Sequence, residues 1–127
     1  MWIKEKHKKG RRHYGWFLKN DTTGMMIYIA RRWHKEIFRS GKTTISEATR
    51  DGVACWAIDC ETLQLCKIKG VQYVGIKVRD QGTLYLTKID EFYNPSNISI
   101  KNYTARGGSL QRYLPLDAFT VSKQFKF

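Results

Sequence analysis

Three consecutive pieces of the chain, YGWFLK (residues 14–19), NDTTG (20–24) and MMIYIA (25–30), decide how it folds. In one reading the two flanks are strands, because aromatic and β-branched side chains suit a pleated, half-buried surface. Asn20 to Gly24 is then the turn between them, made of residues that bond their own backbone or tolerate left-handed geometry, and Glu36 to Phe38 supplies a short third strand. In the other reading Thr23 caps a helix over residues 25–39. Met26, Ala30, Trp33 and Ile37 then recur at spacings of four, three and four on one helical face. The strand reading is preferred for its side-chain content.

Downstream, Thr44-Ile-Ser-Glu47 has the form of a capping box, in which a hydroxyl and a carboxylate satisfy opposite backbone donors of a first helical turn. The helix it starts is expected over about residues 45–65, with Ala48, Cys55, Trp56 and Ile58 buried; Gly52 weakens it by about 1 kcal/mol relative to Ala. Beyond Gly70 the pattern turns to sheet. Residues 71–78 and 83–89 flank Arg79-Asp-Gln-Gly82, a hairpin composition. Residues 98–103 and 110–114 alternate again, separated by a Gly-rich break at 105–109. The expected class is α+β: a mostly antiparallel sheet with one principal helix, about 45–65, packed on one face.

Upstream, residues 1–12 carry Lys4, Lys6, Lys8, Lys9, Arg11 and Arg12 against Glu5 alone, with Trp2 and Ile3 as the large apolar residues. That balance predicts a basic N-terminal arm, mobile when free, ahead of a single globular domain over 13–127. The 127 residues hold 42% hydrophobic side chains, including four Trp, seven Tyr and six Phe, which is enough for one packed core.

The charge narrows the partners. Twenty-three Lys and Arg against 11 Asp and Glu give a formal +12, which draws a protein toward polyanions. Nucleic acid is the leading partner, DNA ahead of RNA, and a homodimer stays open. No apolar run reaches the roughly 20 residues of a membrane span, and the N-terminus has no signal-peptide core, so a cytoplasmic protein without membrane contact is expected. Three cysteines, Cys55, Cys60 and Cys66, do not form an even disulfide framework.

Chemistry is sparse. The cysteines with His34 lack the close ligand pairs of structural zinc, and buried free cysteines are ordinary core residues. Cys60 with His34 or His13 shows no marked nucleophile turn. Asp59, Glu61, Lys67 and Lys69, with Asp80, Asp90 and Glu91 near strand ends, could serve a metal-dependent nuclease, but charges at such positions are the ordinary surface of a domain. Arg106-Gly107-Gly108 reads as a turn, and Gly41-Lys-Thr-Thr44 lacks the upstream glycine of a nucleotide loop. No cofactor and no metal are expected, and a non-enzymatic role is preferred. A small nuclease or a module for an acidic protein partner are the alternatives.

Basic residues interleaved with aromatics are the fuller pattern: His13, Tyr14, Trp16 and Lys19, then Tyr28, Arg31 and Arg32, then Lys35 and Arg39. Guanidinium groups bridge phosphates and aromatic faces stack on exposed bases, whereas the same pattern also arises as a solvated face over core aromatics. With the basic arm, the candidate nucleic-acid contacts are Lys8, Lys9, Arg11, Arg12, Trp16, Lys19, Arg31, Arg32, Lys35 and Arg39. The order of arm, strands and Thr44-Ile-Ser-Glu-Ala helix over residues 11–66 resembles the three-stranded-sheet-plus-helix DNA-binding domains of the plant AP2 type and the arm-binding domains of tyrosine integrases. That resemblance implies a sheet laid in the major groove, with Arg12, Trp16, Lys19, Arg31, Arg32 and Arg39 reaching phosphates and bases.

Overall fold

Asn20 ends one strand and turns the chain into the next. Its side-chain Oδ1 accepts from the N–H groups of Thr22 (3.0 Å) and Thr23 (3.1 Å), and its backbone closes the loop through Gly24 N–H (2.8 Å) and Met25 C=O (2.8 Å). The strand reading of residues 14–30 therefore holds: β2 (Arg12–Asn20) and β3 (Met26–Arg32) pair antiparallel. The computed structural model describes residues 1–32, 49–50, 53–78, 83–96, 98–103 and 109–122. Glu36 to Phe38, Ala48 and the Thr44 to Glu47 box lie outside the described residues.

The protein is α+β with a mostly antiparallel sheet. The larger sheet has six strands in the order β1 (Trp2–Lys9), β2, β3, β6 (Tyr73–Val78), β7 (Thr83–Lys88) and β10 (Thr120–Ser122). Its neighbours run antiparallel except β3 and β6, which are parallel from Ile27 opposite Tyr73 to Arg32 opposite Val78. A four-stranded antiparallel sheet joins β4 (Thr49–Arg50), β5 (Val53–Asp59), β9 (Ser109–Pro115) and β8 (Ser99–Tyr103) in the order β4-β5-β9-β8. Among the described residues there is one α-helix, α1 (Cys60–Lys69), and two 3-10 turns, Ile89–Tyr93 and Leu116–Ala118.

The helix begins later than the sequence suggests. Residues 53–59, expected inside it, are β5. Cys55, Trp56 and Ile58 are buried as expected, but on a strand. Trp56 and Ile58, two residues apart on one face, both join the main core. Asp59, not Thr44, caps α1 by accepting from Thr62 N–H at 2.5 Å. Gly70 ends it in the left-handed region (φ 80°) and donates to the carbonyls of Cys66 and Lys67, a conformation that a residue without Cβ adopts freely.

The larger sheet is apolar on both faces. Phe17, Tyr28, Ala30, Val74, Ile76 and Tyr85 meet Trp56, Ile58 and Leu114 of the smaller sheet and Leu63 and Cys66 of α1 in the main core, closed by Phe92 and Phe119. On the opposite face Leu18, Ile27, Ile29 and Leu84 form a second cluster, with Trp2, Trp16, Met25, Tyr73 and Leu86 against it.

The segment expected as a mobile arm is largely strand. β1 pairs with β2 from Trp2 opposite Asn20 to Lys9 opposite Arg12. The cause is a period-two pattern hidden under the charge: Trp2 packs on the second cluster, while His7 on the other side is buried at 8% exposure. The His7 ring lies against Tyr14, Phe17 and Tyr28, with centroids 5.8, 5.4 and 5.7 Å away, and its Nε2 sits 3.2 Å from the Thr62 hydroxyl of α1.

Candidate nucleic-acid interface

Register gathers the basic residues at one end of the larger sheet. β1 runs toward the Gly10-Arg11 turn and β2 runs away from it. β3, antiparallel to β2, returns to that end, and β6, parallel to β3, finishes there too. Lys8, Lys9, Arg11, Arg12, Arg31, Arg32 and Lys77 are therefore neighbours by strand pairing, although they lie up to 69 positions apart in the chain (77 − 8). The described residues of this end, 6–15, 28–32 and 75–78, include no Asp or Glu.

Within that end the two faces differ. Trp2, Lys4, Lys6 and Lys8 alternate along β1 and share one row, at about 6.6 Å per step for a strand rising 3.3 Å per residue. A bulge lies opposite His7 and Lys8, but its extra residue, Tyr14, is on β2, so β1 keeps its alternation. Lys4, Lys6 and Lys8 are exposed. Trp16, opposite Lys6, is half-buried beside them. The His13 ring stands edge-on to Trp16 at 4.5 Å, and Lys77 Nζ is 5.9 Å from the Trp16 ring centre. His13 Nε2 is 2.8 Å from the Gly15 carbonyl; a carbonyl only accepts, so this nitrogen carries the proton.

Of the ten candidate contacts, six lie at this end: Lys8, Lys9, Arg11, Arg12, Arg31 and Arg32. Trp16 borders it on β2. Arg31 pairs with Lys77 and Arg32 with Val78, so the two arginine positions belong to opposite rows of the sheet. Lys19 is at the far end, between Ile3 and Met26 and in the row opposite Trp16. Lys35 and Arg39 lie outside the described residues. The sequence reading missed Lys6, as part of a row, and Lys77. Lys6 was legible in the W-x-K-x-K-x-K spacing; Lys77 was not, because nothing local announces that β6 pairs with β3.

The residues weighed for other chemistry are engaged elsewhere. Asp59 caps α1, and Lys69 pairs with Glu5 at 3.7 Å and lies over the Phe17 ring. Lys67 Nζ and the Arg112 guanidinium lie 3.8 and 4.4 Å from the Tyr93 ring centre, and burial raises the Tyr93 pKa, with Arg112 working against it. Cys55 and Cys66 are buried and Cys60 is half-buried. Burial pushes the Cys66 thiol up to about 12. Asp80 and His34 lie outside the described residues, among which no three His, Cys, Asp or Glu side chains come close enough to hold a metal ion.

Comparison with protein-family models, with curated protein sequences and with solved structures gives no match. Among the described residues no helix is long and apolar enough to cross a membrane.

Proposed function

We propose that this chain is a nucleic-acid-binding protein without a catalytic role, preferring DNA to RNA, and that the basic end of the larger sheet is its contact surface. One observation carries the reading. Strand pairing brings cations from four strands to one end of one sheet, next to the half-buried Trp16, with no acid among the described residues there. A charge surplus spread evenly over a surface serves solubility; one gathered beside an aromatic ring suits a phosphate backbone and, where bases are unstacked, a stacking surface. Of the residues that the resemblance to AP2-type and integrase arm-binding domains implies, Arg12, Arg31 and Arg32 lie at this end and Trp16 borders it, whereas Lys19 lies at the far end of β2.

Titrating duplex DNA, single-stranded DNA and RNA across a range of salt tests this. With about five phosphate contacts, the slope of log K against log salt on duplex DNA is roughly −4 to −5. A slope near zero, or no binding at low salt, removes the proposal. Tighter binding to RNA removes the preference for DNA alone.

A further inference from the structure

Away from the basic end, the fold brings a second pair of cations together. β7 ends with Lys88 opposite Tyr73, the first residue of β6, so the 3-10 turn Ile89–Tyr93 that follows lies at the other end of the larger sheet. Tyr93 closes that turn, Arg112 lies in β9, and Lys67 is in the last turn of α1. Register explains why they meet: Arg112 stands opposite Ile58 and Gln111 opposite Asp59, where β5 passes into α1. Arg112 Nη1 donates to the Phe92 carbonyl at 3.2 Å, which fixes one edge of the guanidinium. Its Cζ and the Lys67 Nζ are 4.4 and 3.8 Å from the Tyr93 ring centre.

Two like charges around one ring call for an anion. Lys69, two residues from Lys67, has Glu5. Lys67 and Arg112 have no carboxylate partner among the described residues, and the Tyr93 hydroxyl has no hydrogen bond there. A ring quadrupole attracts a cation but does not neutralise it. Arg112 and Tyr93 are half-buried, so salt and water screen this charge less than at an open surface. Burial also raises the Tyr93 pKa, with Arg112 working against it, so the phenol keeps its proton at neutral pH and donates.

We infer that Lys67, Tyr93 and Arg112 bind a phosphomonoester group. The match is one of charge and count. Such a group carries about −1.5 to −2 near pH 7 and three strong acceptor oxygens, and it meets two cations and a phenol here. A carboxylate offers less charge and one oxygen fewer. The exposed Lys67 turns its ammonium onto the ligand, while Arg112, tied to Phe92, presents its remaining N–H groups in a fixed plane. The site shares no residue with the basic end of the sheet and does not rest on nucleic-acid binding. The group has two sources, a small free phosphomonoester and the 5′ end of a nucleic-acid strand, which the test separates.

The test is calorimetric titration of the full chain with phenyl phosphate, and with phenyl sulfate as a singly charged ester of the same shape. Phenyl phosphate is expected to bind more tightly by roughly tenfold, and to gain affinity as pH rises through about 6, where its dianion forms. Lys67→Gln, at an exposed site, should weaken phenyl phosphate by about tenfold and leave melting unchanged. Tyr93→Phe keeps the ring for both cations and removes only the hydroxyl, and should cost about fivefold. Equal binding of the two esters overturns the inference. Phenyl phosphate binding unchanged by Lys67→Gln and Tyr93→Phe overturns it too, since the cations then only stack on the ring. Lys8→Gln with Arg11→Gln should leave phenyl phosphate binding intact; if it abolishes that binding, the ester sits on the basic end and the inference fails. Loss of duplex binding alone in that variant bears on the nucleic-acid proposal and leaves this one standing. A 5′-phosphorylated oligonucleotide that displaces phenyl phosphate better than its 5′-hydroxyl form identifies the strand end as the source. If neither displaces it, the source is a small free phosphomonoester.

Discussion

Neutralising the hairpin tip should cut the salt slope by a fixed step. Lys8 and Arg11 are exposed at the turn between β1 and β2, and among the described residues neither makes a salt bridge. Lys8→Gln with Arg11→Gln should therefore leave the fold intact, within about 0.5 kcal/mol for surface sites. Each phosphate contact contributes about 0.9 to the slope on duplex DNA, so losing two lowers its magnitude by about 1.8. Near 0.15 M salt one released counterion is worth roughly 1 kcal/mol, so the pair should cost about 25-fold in affinity. Lys19→Gln is the internal control, because that residue is exposed at the opposite end of β2 and in the other row. Fluorescence anisotropy on a labelled duplex over a salt series reads both quantities. If the double substitution leaves the slope unchanged, or if Lys19→Gln lowers it as much, the charge acts diffusely and the sheet end is not the contact surface.

His7→Ala should lower stability by about 3 kcal/mol, combining a lost buried hydrogen bond with a cavity among Tyr14, Phe17 and Tyr28; a denaturant midpoint that does not move would mean β1 is not integral to the fold. Asp59→Ala should cost about 1 kcal/mol through the lost cap on α1, and Asp59→Ser should recover most of it in the same urea titration. Cys66, with its thiol pushed up to about 12, should resist alkylation in the native state at pH 8 and react at once in denaturant. The sign of its pH effect follows. The native state holds this proton above the ordinary thiol pKa, so the associated stability is intact below about pH 8.5 and is lost as pH rises toward 12. Cys66→Ala should flatten that alkaline decline, and an unchanged decline would assign it to other groups.

How much was legible depended on whether local pattern or distant pairing decided the element. The β2–β3 hairpin was readable because Asn20 to Gly24 carries its own turn chemistry. β6 and β7, inside the expected 71–78 and 83–89, were readable because the Arg79-Asp-Gln-Gly82 sequence between them has hairpin composition. The described helix was misplaced because its own start signal is slight: Asp59 needs only one oxygen and the Thr62 N–H, whereas Thr44-Ile-Ser-Glu47, the fuller capping sequence, lies outside the described residues. What settles residues 53–59 is their ladder to β9, from Cys55 opposite Pro115 to Asp59 opposite Gln111. That partner lies more than 50 residues on in the chain, beyond the reach of any local window.

The same distinction governs the site. Charge counting picked out residues 8–12 and 31–32 as basic, but it treated the first stretch as a tail. A tail and an edge strand can have the same composition; they differ in whether alternate residues have something to pack against. Here Trp2 and His7 do, one on each face, and so the lysines between them are held in a row. Order of that kind changes what the charge can do. A mobile arm adapts to any polyanion and surrenders conformational entropy on binding, whereas a strand presents its cations already spaced. Lys77 makes the point from the other side. It joins the cluster only because β6 returns parallel to β3 after a crossover through β5 and α1, and a single sequence read locally contains no trace of that neighbour. The basic end of the sheet is thus a product of topology acting on residues whose type alone was already visible.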